Sequence, residues 1–159
     1  MAVAAIFKDD VNGLESAGYL GITAISALAG ATVIVPVPGL PAVVAAGSVL
    51  VPWIVGPCAG FGEAIGELTG YLAGYGGRIN AQGKLSRAYG RAEGWVAKRR
   101  LTIIFVASAV PNPAFDLFGF AAGSLRIPVW QFFLVCWGGK TIKNTVLAFI
   151  GVLILRLFT

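Results

Sequence analysis

The stretch Val35-Pro36-Val37-Pro38-Gly39 decides the fold, because it returns later in the chain as Val110-Pro111-Asn112-Pro113. Three further matches follow in the same order: Ala45-Ala46-Gly47-Ser48 with Ala121-Ala122-Gly123-Ser124, Pro52-Trp53 with Pro128-Val129-Trp130, and Gly62-Glu63-Ala64-Ile65 with Gly139-Lys140-Thr141-Ile142. The matched residues are 75 to 77 positions apart. A spacing this constant indicates that the chain contains an internal repeat.

Each repeat predicts a short helix that is broken by prolines and followed by a full-length helix. Proline is tolerated at the first position of a helix, where its missing N–H would have no partner. Pro38 and Pro113 therefore mark helix starts, and Asn112 is a suitable N-cap. The segment 36–53 is too short to cross a bilayer twice, since one crossing needs about 20 residues. We therefore expect two re-entrant elements, in which irregular backbone is buried in protein or lines a cavity. Their turns contain Pro36, Pro38, Gly39, Pro111 and Pro113.

The composition indicates an all-α polytopic membrane protein that forms a single membrane domain over residues 1–159. Apolar residues make up 57% of the chain without counting its 22 glycines, and charged residues only 12%. These values exclude a disordered chain, a nucleic-acid-binding domain and an ordinary soluble enzyme. Histidine is absent, and the two cysteines, Cys58 and Cys136, lie in apolar runs. We therefore expect neither enzymatic activity nor a metal, a cofactor or a nucleic-acid partner.

The apolar runs predict the membrane topology. A long charge-free stretch near the N-terminus contains a predicted membrane helix over 17–35, and a second helix over about 54–77 lies between the two re-entrant elements. With one crossing between them, repeat 1 (about 17–78) and repeat 2 (about 101–155) are inverted. Paired broken segments in inverted repeats point to a substrate site near the bilayer midplane.

The basic residues predict which side of the membrane is cytoplasmic. Seven of the twelve Lys and Arg residues lie within residues 78–100, and the positive-inside rule makes this connection cytoplasmic. Its periodicity favours an amphipathic helix over about 79–100 on the inner leaflet. The alternative is a solvated basic loop. The predicted topology places the N-terminus on the same side.

Ionisable residues also occur inside the predicted spans, where each costs at least about 2.5–3.5 kcal/mol and indicates function by default. They are Glu63, Glu67, Asp116, Lys140 and Lys143. Inverted symmetry places Glu63 opposite Lys140 and predicts an ion pair between the repeats. These charges either form a polar path for a charged headgroup or simply pair and hold the two repeats together. A glycine face on the same helix predicts close helix packing; it consists of Gly60, Gly62, Gly66, Gly70 and Gly74.

Three motifs resemble the DedA superfamily, whose domain is also called SNARE-associated or VTT. The stretch 66–74 together with Arg78 resembles its motif G-[DE]-x-x-G-Y-x-x-G…R, and 36–39 resembles P-x-P-G. The block 110–117 has the form P-N-P-x-F-D-L, which is most similar to the vacuole membrane protein branch. The resemblance covers about residues 33–151.

This resemblance implies two opposed re-entrant hairpins and the movement of lipids between leaflets. Eukaryotic members are phospholipid scramblases, and bacterial members are implicated in undecaprenyl phosphate recycling and proton-dependent membrane homeostasis. Glu67 and Asp116 match functional positions of the family. Leu40 replaces an acid of the bacterial pattern, while Ser108 and Ala114 replace its arginines. These replacements argue against the bacterial proton-antiport mechanism.

The sequence therefore predicts a lipid scramblase or flippase that does not hydrolyse ATP, since no nucleotide-binding loop is present. Phospholipids or a polyprenyl phosphate are the expected partners, in a prokaryotic plasma membrane, and a homodimer would help to enclose a groove. Its substrate path is predicted to contain Glu63, Glu67, Asn112, Asp116, Lys140 and Lys143, with Arg78 at the inner face. One alternative is a proton-coupled transporter of a small solute or ion. Another is a membrane scaffold that recruits partners through its basic helix.

Overall fold

The structure, a computed structural model, describes residues 2–31, 39–76, 84–111 and 115–158, and all of its regular elements there are α-helices. The helices are α1 (Ala2–Ala31), α2 (Gly39–Val49), α3 (Pro52–Gly76), α4 (Lys84–Ala109), α5 (Phe115–Ser124) and α6 (Val129–Phe158). The predicted all-α fold is thus confirmed over the described residues. Of the predicted turn residues, Gly39 begins α2 and Pro111 follows α4, while Pro36, Pro38 and Pro113 lie outside the described residues.

Two long helices, α3 and α6, form the centre of the fold and run antiparallel. Near the start of α3, a Cβ added at Gly56 would overlap Thr145 of α6. Near its end, the rings of Tyr71 and Phe132 stack with their centres 5.1 Å apart. The 25 residues of α3 span about 37 Å, which exceeds the roughly 30 Å of a hydrocarbon core. The pair therefore has the dimensions of a transmembrane unit.

The two short helices each pack on the long helix of the other half of the chain. A Cβ added at Gly123 of α5 would overlap the backbone oxygen of Tyr71 in α3. In the same way, a Cβ added at Gly47 of α2 would overlap the backbone oxygen of Ala148 in α6. Backbone contacts of this kind are possible only between helices that meet at small residues.

Helix α4 consists of two parts separated by a kink at Arg99 and Arg100, where φ reaches 27°. In the first part, over residues 84–98, Ala92 and Val96 are buried, whereas the side chains of Arg87, Arg91 and Lys98 are exposed. This part lies at the C-terminal end of α3, because Tyr89 donates a 2.7 Å hydrogen bond to Ser124, whose hydroxyl lies 3.2 Å from the carbonyl oxygen of Gly74. The basic connection is thus an amphipathic helix packed on the ends of α3 and α5.

Helices α1 and α2 form an antiparallel pair, so that α1 runs parallel to α3. A Cβ added at Gly39 would lie 2.9 Å from Ala29, and one added at Gly18 would lie 3.1 Å from Leu50, just before α3. Gly18 therefore lies at the end of the molecule opposite the basic helix. The predicted crossing of 17–35 in the opposite direction, which placed the N-terminus beside that helix, is wrong. The apolar run carries no charge that would have fixed its direction.

The glycine face of α3 packs against its neighbours as the sequence predicts. Cβ atoms added at Gly62 or Gly66 would overlap backbone atoms of α1, and one added at Gly74 would overlap the backbone of α5. One added at Gly60 would lie 2.8 Å from the backbone nitrogen of Thr141 in α6. Gly70 is less restricted, since its nearest neighbour would be 3.9 Å away.

Large apolar side chains are exposed on α1 and α6, whereas three charged residues of α3 and α6 are buried. Leu20 is 72% exposed, Leu153 60% and Phe158 87%, while Glu63, Glu67 and Lys140 are each 5% exposed. Contiguous apolar surface of this kind marks contact with lipid or another protein. By length and hydropathy, α6 is the one helix among the described residues that meets the criteria for a membrane span.

Candidate functional site

A network of ion pairs joins the middle of α3 to the middle of α6. The Nζ atom of Lys140 donates hydrogen bonds to Oε2 of Glu63 at 3.1 Å and to Oε1 of Glu67 at 2.9 Å. The predicted ion pair between Glu63 and Lys140 is therefore present. All three side chains are buried, so water contributes little to neutralising their charges.

Glu63 is the most fully satisfied acid of this network. Its Oε2 also accepts a hydrogen bond from Nζ of Lys143 at 2.6 Å, and its Oε1 accepts one from Nδ2 of Asn144 at 3.1 Å. Three donors therefore converge on one carboxylate. Such charge-assisted hydrogen bonds are about twice as strong as those between neutral groups.

Helical spacing and glycines bring these residues together. Glu63 and Glu67 are four positions apart on α3, as are Lys140 and Asn144 on α6, and residues at this spacing share one face of a helix. Gly139 precedes the lysine, and a Cβ there would overlap Ser108 and meet the backbone of α4. The approach of α3 to α6 itself is made possible by Gly60, where a Cβ would lie 2.8 Å from the backbone nitrogen of Thr141.

Helix α5 adds an aromatic ring and a third acid to the network. Nζ of Lys140 lies 4.8 Å from the centre of the Phe115 ring, a cation–π distance. The next residue, Asp116, is half-buried and close enough to interact electrostatically with both Glu67 and Lys140. We refer to Glu63, Glu67, Asp116, Lys140, Lys143 and Asn144 as the charged cluster. With all groups ionised, it has three negative and two positive charges.

Three buried polar atoms in the described part of the chain have no hydrogen-bond partner. They are Oε2 of Glu67, Oδ1 of Asn144 and Oγ of Ser26 in α1. An unsatisfied buried polar group costs about 1–3 kcal/mol, so such atoms are uncommon in a purely structural network. The first two belong to the charged cluster. The cluster therefore contains two oxygen atoms that can each accept a further hydrogen bond.

The sequence did not single out Asn144 or Phe115. Asn144 could have been found from its position one turn after Lys140, on the face of α6 that meets the glutamates. Phe115 carries no such signal, because its role depends on where α5 packs. Asn112 and Arg78 lie outside the described residues. No group of three side chains suited to holding a metal occurs within the described ranges.

Comparison with known proteins identifies the family. The sequence profile of the VTT domain matches residues 37–153, which include the whole charged cluster. The chain belongs to the VTT/DedA family of membrane proteins. This VTT domain therefore contains buried charges within a helical membrane fold, and the resemblance found in the sequence motifs is confirmed.

Two plant relatives have a similar sequence. The VTT domain is 32% identical over 103 residues to the vacuole membrane protein KMS2 of Arabidopsis thaliana, an alignment that covers 54% of this chain and 25% of the relative. It is 30% identical over 106 residues to KMS1 of the same plant, with 54% and 26% covered. The alignments thus span about a quarter of each relative. These relatives do not support the predicted prokaryotic plasma membrane. No solved structure matches the chain.

Proposed function

We infer that this VTT domain is a lipid transporter that moves the headgroups of phospholipids or polyprenyl phosphates between leaflets without hydrolysing ATP. The observation that carries this proposal is the charged cluster, buried midway along two antiparallel helices whose outer surfaces are apolar. A charged headgroup needs polar partners to cross the hydrocarbon, while its acyl chains are stable in lipid. The cluster supplies such partners at the required depth.

Recurring contacts support an inverted repeat. Gly123 of α5 packs on Tyr71 of α3, and in the other half Gly47 of α2 packs on Ala148 of α6. In the same way, Gly74 of α3 packs on Phe120 of α5, and Gly151 of α6 packs on Val44 of α2. Within each set the short-helix residues differ by 76 positions and the long-helix residues by 77, the offsets found in the sequence. We propose that rotation about an axis between α3 and α6 places each half of the chain on the other.

Contacts near the helix ends support re-entrant hairpins. Ala31, the last residue of α1, packs on Gly66, beside Glu67. Ala109, the last residue of α4, packs near Gly139, beside Lys140. Helices α1 and α4 therefore both end at the level of the charged cluster. We propose that both hairpins turn there and that a polar groove lies between them.

The proposed groove takes its chemistry from both halves of the chain. The headgroup phosphate would exchange between Lys140 and Lys143, and its amine or hydroxyl groups would meet the carboxylates of Glu63, Glu67 and Asp116. Asn112 and Arg78 keep their predicted roles in this proposal, at the turn and at the inner face. A dimer would shield the open side of the groove, and the basic helix would lie on the cytoplasmic leaflet.

Lipid exchange in liposomes tests this proposal. The purified protein is reconstituted with a trace of fluorescent phospholipid, and dithionite is added outside. We expect quenching of inner-leaflet probe, and slower quenching with Glu67→Gln and with Asp116→Asn. The matched control is Glu93→Gln, which removes an acid from the basic helix outside the cluster. Quenching no faster than in protein-free liposomes would overturn the proposal.

A paired replacement separates transport from a purely structural role of the cluster. Glu67→Gln combined with Asp116→Asn removes two charges but retains the ion pairs of Glu63 with Lys140 and Lys143. If the cluster only holds the two halves together, this variant folds and exchanges lipid at the wild-type rate. If the cluster forms the path, the variant folds and exchange slows.

One observation favours a second function, a proton-coupled transporter of a small solute or ion. The Oε2 atom of Glu67 is buried without a hydrogen-bond partner among the described residues, and the cluster has one more acid than it has bases. A site of this kind could bind and release a proton. In this case an imposed proton gradient drives solute uptake into liposomes, Glu67→Gln abolishes it, and lipid exchange is absent.

A further inference from the structure

The turn between α5 and α6 is a helix C-cap that contains an unusual residue. The N–H of Ile127 donates to the carbonyl of Ala122 and the N–H of Arg126 to that of Gly123, both at 3.0 Å. These two bonds define a Schellman motif. Its left-handed position is occupied by Arg126, with a φ of 52°. Glycine usually occupies this position, because a side chain is strained there.

The side chain of Arg126 lies against the end of α3. Its guanidinium carbon lies 5.5 Å from the centre of the Tyr75 ring. The turn itself is fixed from the same helix, since the hydroxyl of Tyr71 donates a 2.5 Å hydrogen bond to the carbonyl of Ile127. The arginine is therefore held by a rigid turn, although it is exposed at its tip.

Arg126 lines an open pocket of about 400 Å³ that contains no acid. The other lining residues are Tyr71, Leu72, Tyr75, Ile127, Pro128 and Val129. None of the three ion pairs among the described side chains involves this arginine. The lining combines two tyrosine rings with aliphatic side chains. The pocket thus combines an uncompensated positive charge with apolar surface.

The pocket lies at the basic end of the molecule, at the depth of a membrane interface. Tyr75 is the penultimate residue of α3, and Trp130 follows the pocket in α6; both rings are exposed. Tyrosine and tryptophan at helix ends are typical of the headgroup region. The basic helix of α4 packs on the same end through Tyr89 and Ser124. The pocket therefore lies within reach of lipid headgroups.

We propose that this pocket binds the phosphate of an anionic phospholipid. The planar guanidinium of Arg126 would hold the phosphate through paired N–H donors, and Leu72 and Val129 would contact the first part of an acyl chain. The start of α6 at Val129 adds the positive end of a helix dipole. This inference goes beyond the proposed function, because binding here requires no transport and no charged cluster.

Binding of a defined lipid tests this pocket. The purified protein in detergent is titrated with dioctanoyl phosphatidylglycerol or dioctanoyl phosphatidylcholine, and bound lipid is counted by native mass spectrometry. We expect Arg126→Gly to weaken phosphatidylglycerol binding by about tenfold, the loss typical of one charge-assisted contact, without lowering the melting temperature. Arg126→Asn should behave in the same way, since asparagine also adopts the left-handed conformation. Arg156→Ala, which removes a charge from the end of α6 remote from the pocket, should bind as the wild type does.

Two results would overturn the inference. One is wild-type affinity for phosphatidylglycerol in both Arg126 variants. The other is competition by free glycerol phosphate at the same concentration as the lipid, which would indicate a site for free anions. A lack of lipid exchange in liposomes would count against the proposed function alone. The titration followed by native mass spectrometry measures lipid binding, which does not depend on transport.

Discussion

Nζ of Lys140 in α6 lies 2.9 Å from Oε1 of Glu67 in α3, and the two residues are 73 positions apart in the chain. A contact between such distant positions is formed only when both halves of the VTT domain are folded and docked. Because both side chains are buried, neither can exchange its partner for water. The stability of the domain and the chemistry of its interior therefore depend on the same atoms.

Replacing Lys140 by methionine should destabilise the domain strongly. The substitution removes one donor from Glu63 and the only basic partner that Glu67 has among the described residues, and breaking a buried ion pair costs about 3–5 kcal/mol. Thermal unfolding in detergent measures the effect. The matched control is Lys98→Met on the exposed face of α4, which should melt like the wild type. An equal melting temperature for both variants would contradict the prediction.

The two glutamates should respond differently to loss of charge. Glu63 accepts hydrogen bonds from three residues, so Glu63→Gln should lower the stability by about 1–3 kcal/mol. Among the described residues Glu67 accepts a hydrogen bond from Lys140 alone, and Glu67→Gln leaves Lys140 paired with Glu63, so it should lower the melting temperature less than Glu63→Gln does. Parallel melting curves test this order. A more severe loss with Glu67→Gln would show that its free oxygen is needed for folding.

The contact between α1 and α3 should tolerate no added atoms. In Gly66→Ala the methyl group would overlap the backbone of α1, which cannot move aside as a flexible side chain can. We expect a loss of about 1–3 kcal/mol, the usual cost of overpacking. Gly21→Ala in α1 is the control: nothing lies within 4 Å, and removing a helical glycine should add about 0.5–1 kcal/mol. If Gly66→Ala were as stable as Gly21→Ala, the two helices could not be in backbone contact.

The hydroxyls of Tyr89 and Ser124 should act together in holding the basic helix. Tyr89→Phe and Ser124→Ala each remove part of one chain of hydrogen bonds that ends at Gly74, worth about 0.5–1.5 kcal/mol per bond. The double variant should cost less than the two single variants combined. Faster hydrogen exchange over residues 84–98 would report the loosened helix. Strictly additive effects would show that the two hydroxyls act independently.

The repeat in the sequence was sufficient to predict the central contact of the fold. The matched positions of Glu63 and Lys140 predicted their ion pair, since an inverted arrangement places equivalent residues of the two halves opposite each other. The glycine spacing on α3 likewise predicted its close packing. Both predictions depend on periodicity, which the sequence displays directly.

Features that depend on tertiary packing could not be predicted in this way. The apolar run of α1 is compatible with either direction, because a single basic residue, Lys8, precedes it and the positive-inside rule depends on an excess of basic residues. Arg126 occupies a backbone conformation that favours glycine, and only the hydrogen bonds of the completed turn make this visible. Asn144 joins the cluster because α3 approaches α6 at Gly60, a distance that composition does not encode.

The backbone contact between α1 and α3 has a mechanical consequence. Where Thr23 meets Gly62 and Ala31 meets Gly66, no side chains separate the two helices, so there are no rotamers whose rearrangement could absorb a displacement. Helices α1 and α3 therefore move together as one rigid unit. Because α5 meets α3 and α2 meets α6 through backbone contacts of the same kind, each short helix must also move together with the long helix on which it packs.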